Sequence, residues 1–393
     1  MNYTTRDYPQ EYPLRTTIAE IDLARLRANF RAIAARAGNA AIMPVVKADA
    51  YGHGIVPCAE ALVQEGAATL GVAFAAEAEP LRTDRRIPYE TPIAVVTPPF
   101  PHGAAEYCRL NLEFCAASLE TMRAFSAEAA RTGRTLKAHL TIDTGMHRDG
   151  IQTHEALEFM RSVEHLPNIV IHGICTHFAT SDEADTSYFH LQVQRFRDTI
   201  QTLHDAGYNF HYIHAANSGA VANTSVEALF TLIRPGIALY GYNPSDELSE
   251  PLDVKPVMAL KTSIISLRRL AAGEPISYGR HYTTLRETTI ATIPIGYADG
   301  LRRNLTEKLR VMIGGRYFPV VGTICMDQCM VDIGDAPFAV GETVQLLGSQ
   351  KSAFAEVEEI RIDANDWAQQ LRTIPYEILT GITARVPRIY FTS

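Results

Sequence analysis

One lysine in this chain leaves an apolar, β-branched run and enters a glycine-rich turn, and it is the residue best placed to bond covalently to a carbonyl compound. The segment is Ile42-Met-Pro-Val-Val-Lys47-Ala-Asp-Ala-Tyr51-Gly-His-Gly54. Apolar neighbours desolvate an amine, which lowers its pKa and favours the neutral form that attacks a carbonyl. On position alone the plainer alternative, a strand-end lysine reaching for water, stands slightly ahead. Other polar residues fall at the ends of later apolar runs: Arg148, His177, the pair Asn217 and Ser218, and Arg234. A lone histidine or arginine is usually structural, but several at matching positions suit a shared anionic ligand.

The elements that must position these residues are legible in the first two thirds of the chain. Eight short apolar runs alternate with helical patterns: Ile42–Val46, Leu70–Phe74, Ile93–Thr97, Leu112–Ala116, Ala138–Ile142, Ile169–Thr176, Tyr212–Ala216 and Leu232–Tyr240. Helical spacing is clear in Phe189, Val193, Phe196, Ile200 and Leu203, and in Leu23, Leu26, Phe30 and Ile33 after a capping Asp22. Eight βα units predict an α/β fold, a (β/α)8 barrel, whose catalytic residues sit at the C-terminal ends of the strands. Barrels often bind phosphate after their seventh and eighth strands, where Ser218, Gly236 and Ile237 fall. An amine combined with a phosphate site points to pyridoxal 5'-phosphate.

From about Pro244 the helical period fades and apolar runs separated by Gly-containing turns follow: Thr289–Ile295, Leu309–Ile313, Phe318–Val321 and Thr343–Leu347. They predict a mainly antiparallel β domain. The expected division is 1–245 for the barrel, with a tail over 1–16, and 246–393 for the β domain.

Composition excludes several classes. Hydrophobic residues at 47% and charged residues at 20% fit a folded globular protein with no membrane span. A net charge of -8 argues against a nucleic-acid surface. Met1 to Leu14 has no apolar stretch of signal-peptide type, so the cytoplasm is expected. Six cysteines are too few for a disulfide framework in so long a chain, and Cys325 and Cys329 have no second pair to complete a metal site, so no metal is expected.

Taken together, the motifs resemble the alanine racemase family. Val-Val-Lys47-Ala-Asp-Ala-Tyr51-Gly-His-Gly is similar to its cofactor-lysine signature, and Asp143-Thr-Gly-Met-His-Arg148 to its Asp-Thr-Gly-Met-x-Arg segment. His177-Phe-Ala-Thr-Ser-Asp-Glu, Ala216-Asn217-Ser218, Arg234-Pro-Gly236-Ile237, Ser277-Tyr278-Gly279, Pro294-Ile-Gly-Tyr297-Ala-Asp-Gly, Ile324-Cys-Met326-Asp327 and Ile374-Pro-Tyr376-Glu follow in order, from about Thr17 to Tyr390.

The resemblance implies a homodimeric isomerase that makes D-alanine from a small amino-acid substrate, with pyridoxal 5'-phosphate carried on Lys47. Lys47 would serve one face of the α-carbon. Tyr278, arriving from the second subunit, would serve the other, tuned through His177 and Arg234. Arg234 would face the pyridine nitrogen. Tyr51, Ser218, Gly236, Ile237 and Tyr376 would hold the phosphate, with Asn217 beside them. Arg148 would steady the cofactor and the substrate carboxylate, which Met326 would also meet through its backbone N–H. Tyr297 and Arg302 would line a narrow approach to the site.

Two positions depart from the family pattern. Thr141 stands where many members carry a lysine whose carbamate pairs with Arg148, and an anion such as chloride, or water, is expected in its place. Asp149 stands where a leucine commonly follows the arginine, which leaves serine or broad-specificity racemisation as alternatives. A basic amino-acid decarboxylase is the more distant rival, since it would lack Ser-Tyr-Gly in register with Tyr278.

Overall fold

The structure is a computed structural model and describes residues 14–223, 229–354 and 357–392. The expected tail therefore lies mostly outside the described residues. The chain forms two compact units. Of the described residues, one unit holds Leu26–Ala50 and those between Ile55 and Lys255, and the other holds those up to Arg25, Tyr51–Gly54 and those from Pro256 onward.

The first unit is the expected ring of parallel strands with intervening helices. Its strands are Ala41–Ile42, Leu70–Val72, Ile93–Val95, Glu113–Ala116, Leu136–Asp143, Ile169–Cys175, Tyr212–His214 and Leu232–Ile233, each paired in parallel with its neighbours. Leu232–Ile233 pairs with Ala41–Ile42, and beyond that strand Val45 bridges Gly71 of the second, which closes the ring. Two of the expected runs are cut short by proline, which cannot donate to a ladder. Pro44 interrupts the first, and after Pro235 the last turns into the short helix Ile237–Tyr240. The long helix Ser187–Asp205 buries Phe189, Val193, Phe196 and Leu203, as their spacing predicts. The stretch from Asn243 to Leu252 is a loop closed by its own ends: the Asn243 side chain donates to the Leu252 carbonyl at 3.1 Å and accepts from its N–H at 2.9 Å.

The second unit is a mainly antiparallel sheet built on Met258–Ser263, Ser266–Leu270, Thr288–Ile293, Arg310–Ile313, Arg316–Val321, Cys329–Gly334 and Thr343–Lys351. It also takes in Ile18–Asp22 from the start of the chain, which pairs antiparallel with Met258–Ser263 and parallel with Arg388–Phe391. Asp22 caps the helix Leu23–Ala37 as anticipated, accepting from the Arg25 N–H at 3.0 Å. Arg15 is fixed on the buried carboxylate of Asp299 at 2.7 Å, which ties this N-terminal segment to the Tyr297-Ala-Asp-Gly turn.

That turn depends on a close backbone approach. A Cβ on Gly296 would lie 2.3 Å from the carbonyl oxygens of both Cys325 and Met326. Gly296→Ala should therefore lower stability by about 1–3 kcal/mol, the usual cost of overpacking, in urea unfolding. An unchanged midpoint would refute the contact.

Candidate active site

The site is built first on the backbone that follows Lys47. Ala48, Asp49, Ala50 and Tyr51 all have φ of 53–54°, so the chain makes a left-handed turn of four non-glycine residues before Gly52. L-residues resist this conformation by roughly 1–2 kcal/mol each. Three hydrogen bonds hold it: Ala48 N–H to Glu77 Oε1 at 2.7 Å, Ala50 N–H to the Val46 carbonyl at 2.8 Å, and Ile55 N–H to Asp49 Oδ1 at 2.7 Å. Lys47 is thereby anchored at the base of a rigid turn, at the C-terminal end of the first strand.

Three cationic side chains interact there. Burial lowers the Lys47 amine below its ordinary value, Arg148 and Arg234 lower it further, and Glu77 works in the opposite sense. His177 and Arg234 are also brought together, with an Arg234 terminal nitrogen donating to His177 Nδ1 at 3.3 Å. Burial, then Arg234, Arg148 and Lys47, push His177 down to about 3, so its ring is neutral at physiological pH. Burial and Arg234 also push His214 well below its ordinary value.

These two histidines fix a sign for the pH dependence of stability. Unfolded, each binds a proton near pH 6.5, and folded it does not, so unfolding takes up protons as the pH falls. The stability is complete above pH 6.5 and drains as the pH descends toward about 3. The urea midpoint should fall between pH 6.5 and 4, and His214→Asn should flatten that slope. A midpoint with equal slope in both proteins would contradict the assignment.

Arg148 lies on the exposed loop after Leu136–Asp143. Asp143 organises this loop by accepting from the N–H groups of Gly145 and His147 at 2.9 and 3.0 Å and from His147 Nδ1 at 2.9 Å. Burial raises the Asp143 carboxyl, but these hydrogen bonds outweigh it and hold the group below the usual range. The buried Thr141 hydroxyl meets the Cys175 sulfur at 3.6 Å, and the carboxylate beside Arg148 is Asp149, 3.5 Å from its Nε. The adjacent residue thus supplies the negative charge nearest this arginine.

After the seventh strand, Asn217 Oδ1 accepts from the Ser181 hydroxyl at 2.7 Å and the Ala220 N–H at 3.0 Å. Ser218 Oγ accepts from Gly236 N–H at 2.9 Å and Ala238 N–H at 3.3 Å, so Ser218, Gly236 and Ile237 form one buried cluster.

In the second unit, Tyr51 and Tyr376 face each other with ring centroids 6.0 Å apart, and burial pushes the Tyr51 phenol up. Tyr278 is 73% exposed. It is carried on a turn in which Ser277, Gly279 and Arg280 all have positive φ, fastened by Ser277 Oγ donating to the Thr323 carbonyl at 2.6 Å and Thr323 Oγ1 donating to the Tyr278 carbonyl at 2.8 Å. A groove of about 480 Å³ lined by Leu270, Ile276, Tyr278, Ile290 and Met330 runs beside it. Met326 and Tyr297 are also exposed.

Three residues that sequence reasoning passed over belong to the same polar interior: Glu113, His139 and His214. Their signal was present, since each is an ionisable residue within a run read as apolar, and a buried ionisable group must have partners.

Comparison with known proteins places these features in one family. Residues 21–244 match the model of the alanine racemase N-terminal domain and residues 257–390 that of the C-terminal domain. The chain is 40% identical over 381 residues to alanine racemase of Clostridium novyi (strain NT), covering 96% of each. Among solved structures it is similar to alanine racemase from D-cycloserine producing Streptomyces lavendulae, at 37% identity and a TM-score of 0.89 over 98% of each chain. It is also similar to histidine racemase from Leuconostoc mesenteroides subsp. sake, at 28% identity and a TM-score of 0.87, over 97% of this chain and 99% of that one. The chain belongs to the alanine racemase family.

Proposed function

We propose that this protein interconverts L- and D-alanine by moving the α-proton between two bases, with pyridoxal 5'-phosphate held on Lys47. The observation that carries this reading is the half-buried Lys47 amine at the end of the first strand, which burial and two arginines shift toward the neutral form that attacks a carbonyl. The same cationic surroundings suit a ligand bearing a phosphate and a substrate bearing a carboxylate. Arg234 supports the fit: its two terminal nitrogens are taken up by protein acceptors, while its Nε donates to none among the described residues. That leaves one N–H for a ring nitrogen. When bound, the pyridine aldehyde supplies an electron sink that makes the α-proton acidic.

The chain's own groups do the rest. Lys47 takes or returns the proton on one face. Tyr278, supplied by a second copy of the chain, does so on the other, and its exposed position beside an apolar groove supports a dimer. Arg148 and the Met326 N–H hold the substrate carboxylate. Ser218, Gly236, Ile237, Tyr51 and Tyr376 hold the phosphate, with Asn217 bracing Ser181 next to them and His177 steadying Arg234. Arg234, which only donates hydrogen bonds and keeps its own protons, would meet the ring nitrogen without transferring a proton to it. In this scheme residues 1–245 carry the cofactor and 246–393 carry Tyr278, and the enzyme makes D-alanine in the cytoplasm.

The test is incubation with L-alanine, L-serine, L-lysine and L-arginine in deuterated water. Loss of optical rotation with α-deuterium, fastest for alanine, is expected. Faster turnover of serine would move the assignment to a serine or broad-specificity racemase, and carbon dioxide from lysine or arginine would overturn it.

A further inference from the structure

A single hydrogen-bonded chain crosses the interior of the barrel and ends on Arg234. One terminal nitrogen of Arg234 meets His214 Nδ1 at 2.6 Å, His214 Nε2 meets His139 Nδ1 at 2.8 Å, and His139 Nε2 meets Glu113 Oε2 at 2.9 Å. All four residues are buried, between 1% and 9% exposed. Glu113 is the first residue of its strand, whereas Arg234 follows the end of Leu232–Ile233, so the chain runs from the N-terminal toward the C-terminal face of the ring.

The two ends fix every proton between them. A guanidinium only donates, so His214 Nδ1 must accept, and the His214 proton sits on Nε2. That proton is donated to His139 Nδ1, so the His139 proton also sits on Nε2 and is donated to the Glu113 carboxylate. Both imidazoles are neutral and share one tautomer. Reversing the chain would set an N–H of His214 against an N–H of Arg234. All the donors therefore point toward Glu113. Among the described residues no carboxylate lies within ion-pair distance of Arg234, and a buried cation without a counter-charge is costly.

We propose that Glu113 is the remote counter-ion of Arg234, a positioning residue that sets, through His139 and His214, how strongly Arg234 donates to the ring nitrogen of the cofactor. This rests on the reading of Arg234 given under Proposed function. Aligned hydrogen bonds in a poorly polarisable interior reinforce one another, so negative charge on Glu113 makes His214 a better acceptor and Arg234 a weaker donor elsewhere. Other groups face this chain. Lys137 reaches Glu113 Oε1 at 3.3 Å, His172 and Tyr212 pack on the His139 ring, and Cys115 and Cys175 line the same interior. Burial raises the Glu113 carboxyl, but His139, Lys137 and His172 outweigh it and keep the group charged.

The test loads the protein with pyridoxal 5'-phosphate carrying nitrogen-15 in its ring and records that resonance. Glu113→Gln keeps an acceptor for His139 but removes the charge, so Arg234 should donate more strongly and the ring nitrogen should move upfield, toward its protonated position. Lys137→Met removes an exposed cation from Glu113 without disturbing the core and should move it the other way. His139→Asn should shift it upfield, and adding Glu113→Gln to His139→Asn should cause no further change, since the chain is already cut. A resonance that stays at the parental position in both Glu113→Gln and Lys137→Met overturns the proposal, and if Glu113→Gln does not fold, an unmoved Lys137→Met suffices. A ring nitrogen already protonated in the parent would instead overturn the pairing with Arg234, and with it this inference.

Discussion

Lys47→Ala should abolish the visible absorption band that covalently attached pyridoxal 5'-phosphate gives the parent, and lower kcat by roughly 10⁴-fold or more, about 5 kcal/mol of barrel-mouth chemistry lost with one amine. The magnitude follows because this residue has two duties, holding the cofactor and moving the proton, and among the described residues no other lysine sits at the C-terminal end of a ring strand, Lys137 lying at the start of its own. The left-handed turn after Lys47 is held by backbone N–H groups and by Glu77 and Asp49, not by the amine. Unfolding midpoints of variant and parent without cofactor should therefore agree closely. Borohydride reduction followed by peptide mapping should place the label on Lys47. A label on a different lysine, or an unaltered band in the variant, would sink the assignment.

Tyr278→Phe should give the opposite pattern, with the absorption band and KM preserved and kcat lower by about 10²–10⁴-fold, the range for losing one general acid or base. Proton exchange without inversion should persist for one enantiomer, because the base on the other face remains. The two variants also test the proposed sharing of the site between subunits. When Lys47→Ala and Tyr278→Phe chains are unfolded together and refolded at equal amounts, half the dimers are hybrids, each with one complete site. About one quarter of parental activity should then return. A mixture no more active than its components would show that Tyr278 acts within its own chain.

The division between what sequence alone conveys and what it hides follows from where the physics is local. The eight apolar runs and the helical spacing of Phe189, Val193, Phe196 and Leu203 report burial on one side of an element, and the structure returns them as strands and a helix. Lys47, Arg148, His177, Asn217, Ser218 and Arg234 were legible because each follows a strand. The rest depends on partners distant in sequence. Nothing in the local pattern of Ile18–Asp22 names its sheet partners, Met258–Ser263 and Arg388–Phe391. Glu113 reads as an interruption of an apolar run until His139, 26 residues later, accounts for it. The contact of Asp149 with Arg148, 3.5 Å from the arginine Nε, is made on a loop whose course no periodic pattern gives.

The turn at Ala48–Tyr51 has a consequence for chirality in the polypeptide itself. Its backbone follows the mirror image of the usual helical path, where the methyl group of an L-residue crowds the following carbonyl and that of a D-residue does not. A semisynthetic chain with D-alanine at positions 48 and 50 should thus melt at a higher temperature than the natural one, by about 1 kcal/mol of relieved crowding per residue. The amine at position 47 stands on a scaffold better suited to D-residues than to the L-residues that build it.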